Sequence, residues 1–354
     1  MSSLRRAETR PRVGIVSRYA RYYGGVEYAN RMLAAMLEEE EYPVRVISEE
    51  LLGNGLLLKA RKRLWGVNRL LAGHFARYHA ADVGVAICNG EFGLGVHHPA
   101  AINVFHGCYS GYAEAMRPFI SARGYRGLLR LAHQQKLSAE GKWVVAVSTT
   151  VAVILGQQGV RVDAVINNAV DLELFRPAPE TARNDRYLFV GSSDYHGKGF
   201  DILEKLASFG IPIDCVTANR PSDERLGWLG NIPNEDLPEY YRRYRALLLP
   251  SRFEGSSLVV LEAMACGTPV VTTAVGSGPD IAREIPEFVV AGPWGGVPEA
   301  MAARLALIEG RHEELGRRAR EYVMRHHSMA AWKQQWLDAV ACVWRRSTQG
   351  AAAE

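Results

Sequence analysis

The chain has 354 residues, 48% of them apolar and 23% charged, with a net charge of +4, a composition that excludes a disordered or fibrous chain and leaves room for two globular domains. No run approaches the roughly 18 apolar residues of a membrane-spanning helix, and the first twenty residues lack the apolar centre of a signal peptide. The five cysteines (Cys88, Cys108, Cys215, Cys266, Cys342) contain no CxxC pair, which argues for reduced, buried thiols in a cytoplasmic protein.

Short β-rich runs alternate with longer helical patterns, the signature of parallel α/β architecture. In the first half, strands are expected at 12–17, 43–48, 82–88, 101–106 and 143–148, with helices at 26–40, 56–79, 110–138 and 149–157. The turn-rich stretch 167–185 reads as a domain linker. Strands resume at 186–191, 213–218, 245–251 and 268–273, with helices at 199–208, 235–243, 257–265 and 296–308. Residues 311–346 read as helical, without a strand.

Charge is unevenly placed. Residues 1–145 hold 20 basic against 12 acidic side chains, and 51–145 alone hold 12 against 4. The basic excess points to an anionic partner for the first half. Two stretches carry it, 56–79 and 117–136, where Leu, Trp and Phe alternate with Lys and Arg. Such helices suit an anionic lipid surface or an anionic acceptor, and equally a solvated face over a core. Nucleic-acid binding has no supporting motif.

Three loops are candidates for chemistry. Gly24-Gly25 precede a helix, but the G-x-G-x-x-G pattern of a dinucleotide fold is incomplete. A glycine pair there can approach an anion through backbone N–H groups, or make a tight turn. His106 ends the apolar run "AINVFH", where an imidazole could bond a substrate hydroxyl or exchange a proton; His97 and His98 carry no assigned role. The run "FVGSSDYHGKGF" (189–200) is a near-miss of a P-loop: Gly191 and Gly197 enclose five residues instead of four, and Lys198 precedes Gly199 instead of Ser or Thr.

The most specific stretch is "PSRFEGSSLVVLEAMACGTPVV" (250–271). Glu254 and Glu262 are separated by seven residues, and Ser256 or Ser257 can cap a helix starting near Leu258. The helix N-terminus suits a diphosphate, and Glu262 could bind two adjacent ribose hydroxyls; an ordinary capped helix is the bland alternative.

This stretch resembles the E-x7-E signature of glycosyltransferase family 4. "YYGGVE", "VFHG", "VSTTVAVIL", "VINNAVDLELFRP" and "WLGNIPNEDLPEYYRRYRALLLPS" are similar to further family segments, in order, along nearly the whole chain. The resemblance implies a GT-B fold, two Rossmann-like parallel-sheet domains facing a central cleft. Residues 1–170, joined by the C-terminal helix 328–354, would bind the acceptor, and 171–327 the sugar nucleotide. It implies a retaining hexosyltransferase of polysaccharide or glycoconjugate biosynthesis that uses a UDP- or GDP-sugar. The acceptor would be a glycan, a lipid-linked molecule or a small glycoside.

Carried onto these residues, Glu254 and His106 would face the transferred sugar and Glu262 the donor ribose. Gly255, Ser256, Ser257 and Leu258 would wrap the phosphates, and Gly24 and Gly25 would lie under them. Gly191, Ser192 and Lys198 stand where the family has a G-R-x(4-5)-K-G loop, so Ser192 replaces a phosphate-binding arginine; Arg252 and Arg220 are candidate substitutes. Ala169 replaces a crossover glycine, while Asn168 and Asp171 are kept. No Asp-x-Asp motif occurs, so no cofactor or metal is expected. The expected location is cytoplasmic, peripheral on the inner membrane face. The alternatives are a nucleotide-sugar-binding protein with little turnover, or a GT-B epimerase or phosphorylase.

Overall fold

The computed structural model describes residues 10–20, 24–53, 55–178 and 183–351. Three residues of the first glycine loop (21–23), residue 54, part of the expected linker (179–182) and both chain ends (1–9, 352–354) lie outside this set.

Two six-stranded parallel sheets organise the chain. The first has order β2-β1-β3-β4-β5-β6, from β1 (Val13–Val16), β2 (Val44–Ile47), β3 (Val85–Asn89), β4 (Ala101–Phe105), β5 (Trp143–Ala146) and β6 (Ala164–Val165). The second has order β12-β11-β10-β7-β8-β9, from β7 (Tyr187–Val190), β8 (Ile213–Val216), β9 (Leu226–Gly230), β10 (Leu247–Leu249), β11 (Val270–Thr273) and β12 (Val289–Val290). Central strands are buried along their whole length because helices cover both faces, which is why they read as continuous apolar runs. This is the GT-B architecture, two Rossmann-like domains.

Helices α1 (Gly25–Glu39), α2 (Leu56–Trp65), α3 (Val67–Tyr78), α4 (Tyr109–Met116), α5 (Ala122–Ala139) and α6 (Thr149–Gln157) connect the first sheet. The single helix expected over 56–79 is two, because Gly66 takes a left-handed φ of 77° that ends one helix and starts the next. The helix expected over 110–138 breaks at Pro118, and Ser121 caps the new start by accepting from Gly124 N. The second domain carries α7 (Phe200–Ser208), α8 (Leu237–Arg243), α9 (Leu258–Ala265), α10 (Gly278–Glu284), α11 (Val297–Ile308) and α12 (His312–His326).

The last helix, α13 (Met329–Ala351), returns to the first sheet, where Trp332, Trp336, Val340 and Val343 join its core. The crossing point is pinned by Val170 N–H donating to the His327 carbonyl (3.0 Å) and by a contact of 2.8 Å between His327 Nδ1 and the Asn168 carbonyl. Ala169 is buried there at ordinary φ, so the missing glycine costs no strain. No described helix is long and apolar enough to cross a membrane.

Candidate active site

Ligands of parallel α/β sheets gather beyond the strand C-termini, at the point where strand order reverses. In the second sheet that point lies between β7 and β10, and the loops leaving these strands hold Gly191–Gly199 and Ser251–Ser257. Lys198 Nζ reaches Glu254 Oε1 at 2.6 Å across 56 residues of sequence. Both side chains are largely buried, which strengthens their attraction over that of a surface pair.

Local backbone geometry holds this pair. The Asp194 carboxylate accepts from Gly197 N, and its carbonyl from Lys198 N. A Cβ on Gly199 (φ 73°) would lie 2.2 Å from the Pro250 carbonyl oxygen, so only glycine lets the two loops approach. Arg252 N–H then donates to the Gly197 carbonyl. The near-miss of a P-loop is thus a loop braced against its neighbouring strand end.

Ser192 is exposed and Arg252 does not take the missing arginine's place. Its guanidinium is buried, forked onto Asp201 at 2.7 and 2.6 Å, donates to the His196 carbonyl and lies 4.5 Å from the Phe119 ring centre. Arg220 stays available: it is exposed, and the preceding Asn219 N–H donates to Ser193 Oγ at 3.3 Å, which ties its loop to the Ser192 loop.

Glu262 lies inside α9 and is buried, with Asn234 Nδ2 donating to Oε1 (3.0 Å) and the Tyr241 hydroxyl to Oε2 (2.9 Å). Burial raises its pKa, and these two donors pull it back. Each oxygen keeps one lone pair beyond its protein partner. Burial also raises the pKa of Tyr28 on α1, with the charges of Glu262 and Asp171 adding to the effect; the helix behind Gly24 and Gly25 therefore lies within electrostatic reach of Glu262. An added Cβ on Gly25 would meet nothing within 4 Å.

Ser257 occupies the N-cap of α9 but makes no side-chain cap bond, and Ser256 Oγ lies 3.2 Å from Ser277 Oγ. The expected serine cap is absent, and the Ser256 hydroxyl turns to Ser277 instead. The first N–H groups of α9, from Leu258 onward, therefore lack a side-chain acceptor, as an anion site requires.

His106 follows β4 on the opposite wall. Its Nε2 lies 3.0 Å from Asn89 Oδ1, while Asn89 Nδ2 donates to the Val16 carbonyl. Desolvation lowers its pKa to about 4, so the ring is neutral at pH 7. An amide oxygen only accepts, hence Nε2 carries the proton and Nδ1 is left as an acceptor.

The walls touch. A Cβ on Gly255 would lie 1.7 Å from the His106 carbonyl oxygen. Ser148 Oγ donates to the Gly255 carbonyl (2.7 Å) and Thr150 Oγ1 to the Gly276 carbonyl (2.6 Å). Beyond them Tyr112 donates to Asp194 Oδ2 (2.9 Å), and Phe119 stacks on His196 with ring centres 4.2 Å apart. Part of the basic stretch 117–136 therefore faces the second domain. Among the described residues no cluster of three His, Cys, Asp or Glu could hold a metal ion.

Asn89, Asn234, Tyr241 and Tyr112 were not singled out from sequence. They carry no local signal, since each acts on a partner at least 17 residues away.

Residues 214–309 match the family model described as Glycosyl transferases group 1. Over 92 residues the chain is 39% identical to the O-antigen chain mannosyltransferase B of Escherichia coli, covering 25% of this chain and 21% of that protein. It is 33% identical over 147 residues to the D-inositol 3-phosphate glycosyltransferase 1 of Catenulispora acidiphila, covering 31% and 35%. The chain thus spans about a fifth to a third of these relatives. Among solved structures it is similar to the sucrose-phosphate synthase of Thermosynechococcus elongatus, with TM-score 0.75 and 19% identity over 98% of this chain and 100% of that one. HepE of Anabaena, solved with UDP-glucose, gives TM-score 0.67 and 16% identity over 94% and 100%. The class is a GT-B-fold protein whose second domain carries a glycosyl transferases group 1 segment.

Proposed function

We propose that the protein transfers a sugar from a nucleoside diphosphate to an acceptor hydroxyl, with retention at the anomeric carbon and without a metal ion. The observation that carries this reading is the meeting of Lys198 and Glu254 at the β7–β10 crevice, beside a helix N-terminus without a side-chain cap and opposite the free Nδ1 of His106. Lys198 is positioned to exchange its carboxylate for a diphosphate, and the α9 N–H groups to share that charge. Glu262, oriented by Tyr241 and Asn234, would accept from ribose hydroxyls. His106 would accept from a hydroxyl of the transferred sugar. Retention follows if the departing phosphate takes the proton of the incoming hydroxyl on the same face, so that orientation of both substrates is the protein's main contribution.

A UDP- or GDP-sugar is the expected donor, and HepE, solved with UDP-glucose, supports a nucleotide-sugar partner. For the acceptor side, α2 exposes Leu57, Leu64 and Trp65 beside Lys59, Arg61 and Arg63, which favours an anionic or lipid-linked acceptor at a membrane surface on the cytoplasmic side.

The test is release of nucleoside diphosphate from a panel of UDP- and GDP-sugars, with and without EDTA. Turnover that survives EDTA supports the reading; tight nucleotide binding with no release from any donor favours a binding protein, for which Ser192 in place of a cation is the specific argument. Ser192→Arg discriminates further: it raises donor affinity unless Arg220 already supplies the charge, in which case Arg220→Ala lowers it.

A further inference from the structure

Cations also gather at the opposite end of the first sheet. A cavity of about 520 Å³ opens between the end of α5, the turns into β5 and β6, and the far half of α13. Ala101 and Trp143, the first residues of β4 and β5, line it. It therefore lies about 16 Å, the length of a five-residue strand, from the cleft.

Lys136, Lys142, Arg161 and Arg346 line this cavity against two acids, Glu140 and Asp163. Asp163 is engaged: it accepts from Val144 N at 2.9 Å and faces Arg161 Nε at 3.2 Å. The other three cations form no ion pair with a described residue. Lys142 Nζ reaches only the Glu140 carbonyl, at 3.4 Å, and Arg346 lies 4.5 Å from the Trp143 ring centre. Half-burial of Lys142 lowers its pKa, a desolvation cost that an incoming anion would offset. The Trp143 indole Nε1–H is buried with no acceptor among the described residues. Buried donors ordinarily have partners, and two positive charges remain in excess around a space large enough for a metabolite.

We propose that this cavity is a second ligand site, for a small phosphate-bearing anion held by Lys136, Lys142 and Arg346. A phosphate ester matches the excess of two charges and offers several acceptor oxygens to point-like ammonium groups and a planar guanidinium. Because Arg346 and Val343 belong to α13, the bound anion ties the helix that crosses between domains to the first sheet. The proposal does not rest on sugar transfer, and its failure leaves that reading untouched.

The experiment is calorimetric titration of inorganic pyrophosphate at low ionic strength into the full chain carrying Lys198→Met and Arg220→Met, which removes the two cations the cleft offers. Binding is expected, with slower amide exchange over 136–145 and 343–347. Adding Lys142→Met or Arg346→Met weakens it about tenfold or more, the loss of one charge-assisted contact. Glu140→Gln, which removes an acid and disturbs no packing, tightens it about twofold to threefold. No binding up to about 10 mM, or affinities within twofold of the parent in both cation variants, overturns the proposal.

Discussion

The two walls of the cleft are built from the same architecture and solve opposite problems. The second-domain wall is charged and internally paired: Lys198 with Glu254, Arg252 with Asp201. The first-domain wall meets it through neutral, hydrogen-bonded groups: His106 with Asn89, Ser148 and Thr150 with carbonyls across the interface. Paired charges can be released to a charged ligand, whereas a neutral wall contributes shape and directional bonds without competing for that charge. In the proposed reaction, donor charge would therefore be the business of the second domain, and alignment that of the first.

The strongest way to break this division is Lys198→Ala. Loss of the cation aimed at a developing diphosphate charge is expected to lower turnover about a hundredfold or more, measured as nucleoside diphosphate release. A tenfold effect or less would move the charge work elsewhere, Arg220 first. Gly255→Ala tests the contact between walls: the added methyl meets the His106 carbonyl, so turnover should fall about tenfold through misalignment while the far-ultraviolet spectrum is unchanged. Unaltered turnover would show that the walls need not meet so closely.

Glu262→Ala strands the buried Tyr241 hydroxyl and the half-buried Asn234 amide. It is expected to lower stability by about 1–3 kcal/mol in urea titrations and to weaken donor binding; equal donor affinity would remove Glu262 from the ribose. A pH effect concerns three buried histidines, one of them on the first-domain wall. His106, His312 and His327 each have a pKa lowered to about 4 by burial. The unfolded chain binds protons on these rings below about pH 6.5 while the folded chain does not, so stability should fall as pH drops from 6.5 toward 4. Each ring contributes up to about 1.4 kcal/mol per pH unit. His106→Gln should flatten that slope; an unchanged slope would assign it to the other two.

Much of the fold was legible because parallel strands buried on both faces must be apolar runs, and β1, β3, β4, β7 and β11 fall where those runs lie. The short edge strands β6, β9 and β12 were not, since "LGWLG" is half-exposed and interrupted by glycine, and two-residue strands leave no period to read. Within the site, Glu254 and Glu262 stood out by spacing, but Arg252 looked as available as Arg220.

The sequence by itself determined the alternation of elements and the resemblance carried by the E-x7-E stretch, both of which depend on residues near one another in the chain. Only the tertiary structure decided which charges are free. Arg252 is taken by Asp201, 51 residues away; Lys198 is lent to Glu254; and Lys136, Lys142 and Arg346 are brought around one cavity with too few acids to neutralise them. Charge availability is a property of three-dimensional neighbours, because Coulomb attraction and desolvation depend on distance in space and not on separation along the chain.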